Sequence, residues 1–196
     1  MIAATGAKLS AHADAKDKIS GMDRGLRAGD VIRVGKTVEL ECLDTPGHTM
    51  SHICVRSHGD APAVFCGDTL FNAGAGNCHN GGHPNELYNT FVTQLAKLPE
   101  GTLIYPGHDY IARNLSFTLD REPDNAKARE MLPQMEKQET AKALVTTLAL
   151  EREINTFFRL TSPSVIKRLR DAFPDLPDNP DPKTVFLRLR ELRNTW

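Results

Sequence analysis

The chain has 196 residues, a length that can bury a hydrophobic core as one domain, or as one domain with a small appendage. Hydrophobic residues make up 40% of it and charged residues 25%, which is ordinary for a soluble globular protein. With a formal net charge of −1 the chain has no basic field to attract nucleic acid or an anionic membrane, so neither is expected as a partner. The sequence has no apolar run of membrane-spanning length and does not start like a signal peptide, so a cytoplasmic location is expected.

The first half of the chain is predicted to be rich in β-strands, because short apolar or alternating runs are separated by turn-forming residues. The predicted strands span residues 8–12, 31–34, 37–43, 52–56 and 63–66. Residues 13–30 are polar and glycine-punctuated, so they are predicted to form a loop, and His12 just before them is expected at the surface. The spacing of the later strands predicts a meandering antiparallel sheet.

The strand at residues 37–43 has an alternating pattern. Val38, Leu40 and Cys42 share one face, and the opposite face carries glutamates. This pattern is typical of a half-buried strand, with the apolar face turned to the core.

The four cysteines are spaced by twelve residues: Cys42, Cys54, Cys66 and Cys78. The sequence contains no Cys-x-x-Cys pair, and three of the four lie in predicted strands. They are therefore predicted to be reduced thiols in or near the core, not metal ligands.

The second half is predicted to be mainly helical. The predicted helices span residues 84–98, 126–142, 146–159 and 164–173, and a last helix starts at Pro182 with Asp181 as its N-cap. The last helix has an apolar face formed by Val185, Phe186, Leu189 and Leu192. Its opposite side carries Arg188, Arg190, Glu191 and Arg193, which is typical of a solvated face.

Three short motifs each place a metal-capable side chain just past a predicted strand. They are TPGHT at residues 45–49, GDTLF at 67–71 and YPGHDY at 105–110, and they carry His48, Asp68 and His108. Imidazole and carboxylate groups suit zinc or iron, and strand ends can aim ligands at one point. The glycine-rich loop at 71–83 is expected to form the rim of a site, although metal binding by its histidines, His79 and His83, is not expected.

In this order and spacing, the three motifs resemble the metallo-β-lactamase fold and, more narrowly, the glyoxalase II (hydroxyacylglutathione hydrolase) family. The resemblance runs from about residue 8 to residue 196. It implies an α/β protein: an αββα sandwich with a helical C-terminal domain, divided into residues 1–112 and residues 113–196. The family's His-x-His-x-Asp-His motif is expected before residue 8 and does not occur in the sequence, so the chain resembles an N-terminally truncated member.

The resemblance assigns roles to the motif side chains. Asp68 is the catalytic carboxylate that bridges two zinc ions, with iron or manganese as alternatives, while His48 binds the first metal and His108 the second. Metal-bound hydroxide then attacks the thioester carbonyl. In the family seven side chains hold the two metals, and three of them are present here.

The resemblance also implies the substrate, an S-(2-hydroxyacyl)glutathione such as S-lactoylglutathione. Tyr110 matches the motif tyrosine, and Arg190 and Arg193 match the two cations of the final helix. Asn77 and His79 stand where the family has a lysine and a tyrosine, so this chain lacks one charge and one phenol of the usual binding set.

Two alternatives are open at this point. One is a persulfide dioxygenase-like enzyme with a single iron, and the other is a truncated chain that binds no catalytic metal. Because three ligands divided between two metals leave each metal underligated, the chain alone is expected to be inactive or nearly so. Without its first strands it is also expected to expose a sheet edge and apolar surface, which favours aggregation or self-association, possible through the truncated edge.

Overall fold

The computed structural model of the chain describes residues 2–196. Ten strands are found among these residues: β1 (Ser10–His12), β2 (Arg24–Leu26), β3 (Val31–Val34), β4 (Val38–Asp44), β5 (Ile53–Ser57), β6 (Ala63–Gly67), β7 (Leu70–Phe71), β8 (Gly74–Ala75), β9 (Leu103–Pro106) and β10 (Thr146–Thr147). The same residues form seven α-helices: α1 (Ile2–Thr5), α2 (Pro84–Thr93), α3 (Ile111–Arg121), α4 (Ala126–Met135), α5 (Leu148–Ile154), α6 (Pro163–Ala172) and α7 (Pro182–Thr195).

Six of the strands form one mixed sheet in the order β10-β9-β6-β5-β4-β3. Neighbours from β3 to β6 run antiparallel, which confirms the predicted meander. Strand β9 lies parallel to β6, so the chain crosses over through α2 between them. As a result the ends of β6 and β9, which precede Asp68 and His108, lie side by side at the same end of the sheet.

One face of this sheet packs against the helices. Buried side chains of the strands, such as Val64 and Ile104, belong to the same hydrophobic cluster as Leu189 of α7. Phenylalanines from separate elements meet in this core, where the ring of Phe91 on α2 lies 5.2 Å from that of Phe186 on α7. The helical layer and the sheet therefore share one core, and α7 is anchored to the strands that carry the motifs.

The other face of the sheet is open in part. The prediction that Val38, Leu40 and Cys42 lie on a buried face is right for Cys42, which has no exposed surface, and wrong for Val38, which is 44% exposed. Phe65 is also 44% exposed, and its ring stacks on that of Tyr105 at 5.0 Å. The alternation of the strand is as predicted, but residues 2–196 leave Val38 and Phe65 exposed on this face.

Two short strands and several boundaries differ from the prediction. β2 lies inside the predicted loop at residues 13–30, where its Leu26 is buried, and it pairs in parallel with β1. Helix α4 contains Pro133 and ends at Met135, earlier than predicted. The predicted helix at residues 146–159 begins instead as strand β10, followed by the shorter α5 and a 3₁₀ turn.

Of three predicted side-chain positions, the structure confirms that of Asp181 and contradicts those of His12 and Arg190. His12, expected at the surface, is buried, and its Nε2 lies 3.2 Å from Asp44 Oδ1. Asp181 caps α7 as predicted, since its side chain accepts a hydrogen bond from the backbone N–H of Thr184. Arg190 does not lie on a solvated face as expected: it is 4% exposed and is held inside the protein.

The expected boundary at residue 112 falls within α3, so the division into residues 1–112 and 113–196 stays a prediction. No helix in the described part of the chain is both long and apolar enough to cross a membrane.

Candidate active site

His48 is positioned by the turn after β4. Gly47 has a φ of 148°, and a Cβ there would lie 2.5 Å from the Cα of Leu87, so only glycine lets this turn pack against α2. The Nδ1 atom of His48 lies 2.7 Å from the carbonyl oxygen of Asn77. Because a carbonyl can only accept, Nδ1 carries a proton, and Nε2 on the other side of the ring lies 3.7 Å from Asp68 Oδ2.

Asp68 lies between the two motif histidines. Its Oδ1 atom is 2.8 Å from His108 Nδ1. Two glycines make room for it: a Cβ at Gly107 would lie 2.7 Å from Asp68 Oδ1, and a Cβ at Gly76 would lie 1.8 Å from its backbone oxygen. The structure therefore brings the side chains of all three motifs to one point.

His108 lies at the more exposed side of this point. Its ring stacks on that of Tyr110 with centroids 5.5 Å apart, and the Tyr110 ring meets Phe71 edge-on at 5.2 Å. This aromatic stack leads from the histidine–aspartate cluster into an adjacent pocket.

His52 was missed by the sequence analysis. Its Nδ1 atom lies 2.9 Å from Thr45 Oγ1 and 3.0 Å from Thr69 Oγ1, so it joins the threonines of two motifs. Burial, and then the nearby charge of His48, lower the pKa of His52 to about 4, so it is neutral near pH 7. Its position four residues after His48 was the only signal in the sequence.

The five predicted substrate-binding residues line one pocket beside the cluster: Asn77, His79, Tyr110, Arg190 and Arg193. The pocket also contains Arg113 of α3 and Trp196, which follows α7; neither was singled out in the sequence.

Several of these pocket side chains already have partners. Arg190 Nη1 donates to the carbonyl oxygens of Ala75 at 2.8 Å and Gly76 at 3.0 Å. Burial lowers the pKa of Arg190 to about 10, which still leaves it charged at neutral pH. Asn77 Oδ1 accepts a hydrogen bond from the backbone N–H of His79 at 3.1 Å. Arg190 thus fixes the backbone of the loop that forms the pocket wall.

The cluster suits a divalent metal in the type of its donors but not in their number. Two imidazoles and a carboxylate are metal ligands, and His48 Nε2 and Asp68 Oδ2, two atoms of the types that bind zinc, lie 3.7 Å apart. A catalytic zinc, however, takes about three protein ligands, and two metals need more than three side chains. Across residues 2–196, no group of three or more His, Cys, Asp or Glu side chains is arranged to hold a metal ion.

Comparison with known proteins decides the family. Over all of its 196 residues the chain is 68% identical to a hydroxyacylglutathione hydrolase from a Polaromonas species, and it spans 74% of that relative. The chain belongs to the hydroxyacylglutathione hydrolase family. A family model described as the hydroxyacylglutathione hydrolase C-terminus matches residues 109–196. The predicted resemblance to glyoxalase II is thereby confirmed.

Solved structures confirm the predicted fold. The chain is similar to the crystal structure of ETHE1 from Myxococcus xanthus, with a TM-score of 0.59, 26% identity, and coverage of 99% of this chain and 68% of that one. It also resembles a metallo-β-lactamase from Staphylococcus aureus, with a TM-score of 0.56, 18% identity, and coverage of 97% and 52% of the two chains. This hydroxyacylglutathione hydrolase family member therefore has the metallo-β-lactamase fold, which implies a divalent metal.

Proposed function

We propose that this family member is a thioester hydrolase that cleaves an S-(2-hydroxyacyl)glutathione, such as S-lactoylglutathione, into glutathione and a 2-hydroxy acid. The observation that supports this most is the adjacency of two features. His48, Asp68 and His108 meet at one point, and the pocket with the five predicted binding residues opens next to them. A thioester whose thiol portion is bound in the pocket would reach the cluster with its carbonyl group.

In the reaction the elements of water are added across the C–S bond. The hydroxyl group goes to the acyl carbon and the proton to the sulfur, and a thiolate leaves without strong acid catalysis. The pocket residues would hold the glutathione portion through its carboxylates, with arginine as the preferred partner. Tyr110, which lines the pocket and stacks on His108, would lie at the boundary between the pocket and the histidine–aspartate cluster.

The roles of the cluster follow the family. Asp68 is proposed as the catalytic carboxylate, with His48 and His108 as further ligands of two zinc ions, or of iron or manganese. Because residues 2–196 supply too few donors for two metals, the 196-residue chain on its own is expected to turn over little or no substrate.

The test compares this chain alone with a chimera that adds the part of the Polaromonas relative outside the aligned region. Thioester hydrolysis is followed by the loss of S-lactoylglutathione absorbance, with and without a chelator. We expect activity only in the chimera, and only without the chelator. Asp68→Asn should lower it by more than about a hundredfold, the upper end of what a metal's outer partners contribute.

The exposed Asp171, far from the cluster on α6, provides the matched control, and Asp171→Asn should leave hydrolysis unchanged. Chelator-sensitive turnover by the 196-residue chain alone would refute the statement about donor number. A metal-loaded chimera that leaves the thioester intact but consumes oxygen with glutathione persulfide would replace this proposal by the dioxygenase alternative. A chimera inactive in both assays would favour a non-catalytic chain.

A further inference from the structure

The pocket beside the cluster is rich in positive charge. Three arginines line it: Arg113, Arg190 and Arg193. No aspartate or glutamate side chain lies among its lining residues, and within residues 2–196 none of the three arginines pairs with an aspartate or glutamate. Other arginines of this nearly neutral chain do so, as Arg159 does with Glu122 at 2.6 Å. Such a pocket suits an anionic ligand.

The three arginines differ in how free they are to bind one. Arg190 is almost fully buried, and both of its terminal nitrogens already donate to protein oxygens, those of the β8 segment and Asn194. Arg193 is half-buried, donates to Asn114 Oδ1 at 3.2 Å, and lies over the rings of Phe117 and Trp196. These two side chains form the wall of the pocket.

Arg113 is the more available cation. It is exposed in the first turn of α3, and in the described part of the chain its one hydrogen bond runs from Nη2 to a backbone oxygen of Trp196, at 2.8 Å. Since Trp196 is the last residue of the 196-residue chain, that oxygen belongs to a carboxylate there. That bond fixes the guanidinium against the pocket and leaves its remaining N–H groups to a ligand. Burial, and then the charge of Arg113, lower the pKa of Arg193, so an anion close to both guanidinium groups would relieve the repulsion between them.

The glycine-rich loop at residues 71–83 contributes no lysine or arginine to the pocket. Asn77 and His79 occupy it, and the Asn77 side chain is folded back onto the backbone N–H of His79. We propose that Arg113 is a specificity-determining residue: its guanidinium binds a carboxylate of the substrate's glutathione portion and takes the place of a cation on the loop. This inference rests on the proposed function and adds a binding residue to it.

The test uses glutathione itself as the probe, because every lining residue of the pocket belongs to the 196-residue chain and binding needs no turnover. Binding is measured by titration calorimetry, and the fluorescence of Trp196, the only tryptophan and a lining residue, gives a second readout. Arg113→Asn should weaken glutathione binding about tenfold, the contribution of one charge-assisted hydrogen bond. Glutathione diethyl ester, whose carboxyl groups are uncharged, should bind both proteins within about twofold of each other, because that bond is then absent.

Moving the cation provides a rescue. In the double variant Asn77→Lys with Arg113→Asn, the charge returns to the pocket from the loop side, and most of the lost affinity for glutathione should return. Arg168→Asn on α6, whose side chain is exposed and outside the pocket, is the matched control and should change nothing. Thermal melts of each variant check that the fold is intact.

The other outcomes separate this inference from the proposed function. If Arg193→Asn weakens glutathione binding and Arg113→Asn does not, the pocket assignment stands and the inference is overturned. Equal weakening of glutathione and its diester by Arg113→Asn would reduce Arg113 to a structural role and overturn it as well. If the unaltered chain fails to bind glutathione, the pocket assignment falls, and this inference falls with it.

Discussion

At the scale of single residues, Glu151 has a fully buried carboxyl group whose ionisation affects the stability of the fold. It has no exposed surface and accepts hydrogen bonds from the backbone N–H of Ala73 at 2.9 Å, Thr146 Oγ1 at 2.7 Å and Asn155 Nδ2 at 2.8 Å. Ala73 has a φ of 56°, a conformation that non-glycine residues seldom adopt, and Glu151 holds it there. Burial raises the pKa of Glu151 to about 7, and the hydrogen bonds lower it only in part.

This pKa predicts a pH dependence of stability. The folded-state pKa lies above the ordinary value of 4.5, so the folded protein binds this proton more tightly than the unfolded chain. The stabilisation is fully present below pH 4.5 and is lost as the pH rises through about 7. Glu151→Gln cannot titrate, and the difference in unfolding free energy between the unaltered chain and this variant should fall by about 3 kcal/mol between pH 4.5 and pH 8.

Urea unfolding at a series of pH values measures this difference, and titrations of other groups cancel in it. Glu153→Gln, an exposed position on the same helix, is the control and should change the unfolding free energy by less than about 0.5 kcal/mol. A difference between the unaltered chain and Glu151→Gln that stays level or grows with pH would contradict the assignment.

Some residues of the candidate site and its surroundings can be found from the sequence, and others cannot. His48, Asp68 and His108 could be found because each lies in a short motif directly after a strand, where local sequence determines position. Arg113 and Glu151 could not, because their neighbourhoods form only on folding: the bond from Ala73 to Glu151 joins residues 78 positions apart. No local pattern distinguishes such residues from ordinary surface charges.

At the scale of elements, α7 connects the helical layer to the loop of the candidate site. Arg190 of this helix reaches the carbonyl oxygens of Ala75, the last residue of β8, and of Gly76, which follows it. Removing the guanidinium would leave two buried carbonyl groups without their partner, and unmet buried acceptors are costly. The helix therefore stabilises the loop by hydrogen bonding as well as by its apolar face.

Arg190→Met is expected to lower the unfolding free energy by about 2 kcal/mol, because the loss of charged hydrogen bonds is only partly offset by no longer burying a cation. Arg188→Met, two residues away, is the control. Arg188 is partly exposed and pairs with Glu191 at 2.9 Å, and surface pairs of this kind contribute less than about 1 kcal/mol. Equal effects of the two substitutions in urea unfolding would show that the hydrogen bonds from Arg190 to these carbonyl oxygens contribute no more to stability than a surface ion pair.

The helices and strands that could be predicted are the longer ones with a clear period in their apolar residues. The start of α7 followed from Asp181 and Pro182, and its buried face from apolar residues at helical spacing. Strands β2 and β10 have only three and two residues, too few to show any period, and they exist because a neighbouring strand pairs with them. Helix α4 ends at Met135, earlier than the predicted residue 142, and no glycine or proline follows within that stretch to mark its end.

At the scale of the whole molecule, the sheet is covered by helices on one face and partly open on the other. Val34, Val38 and Phe65 expose 53%, 44% and 44% of their surface there. Cross-strand pairing puts Val34 beside Val38, and Phe65 beside Tyr105, and all four side chains line one largely apolar groove on this face. The sequence analysis expected an exposed sheet edge and exposed apolar surface. The structure places these exposed apolar side chains on the sheet face, where an alternating strand normally meets a second layer.

An open apolar sheet face predicts self-association, since water is excluded when two such faces meet. The 196-residue chain should sediment as larger species as its concentration rises, and Val38→Lys should shift it toward the monomer because burying an unpaired lysine is unfavourable. Val92→Lys on α2 is the matched control, since Val92 is exposed to nearly the same extent, 43%, but lies on the helical side. Sedimentation velocity over a wide concentration range distinguishes the two variants. A chain that stays monomeric throughout and melts in one cooperative transition would show that this face is stable in water without a covering layer.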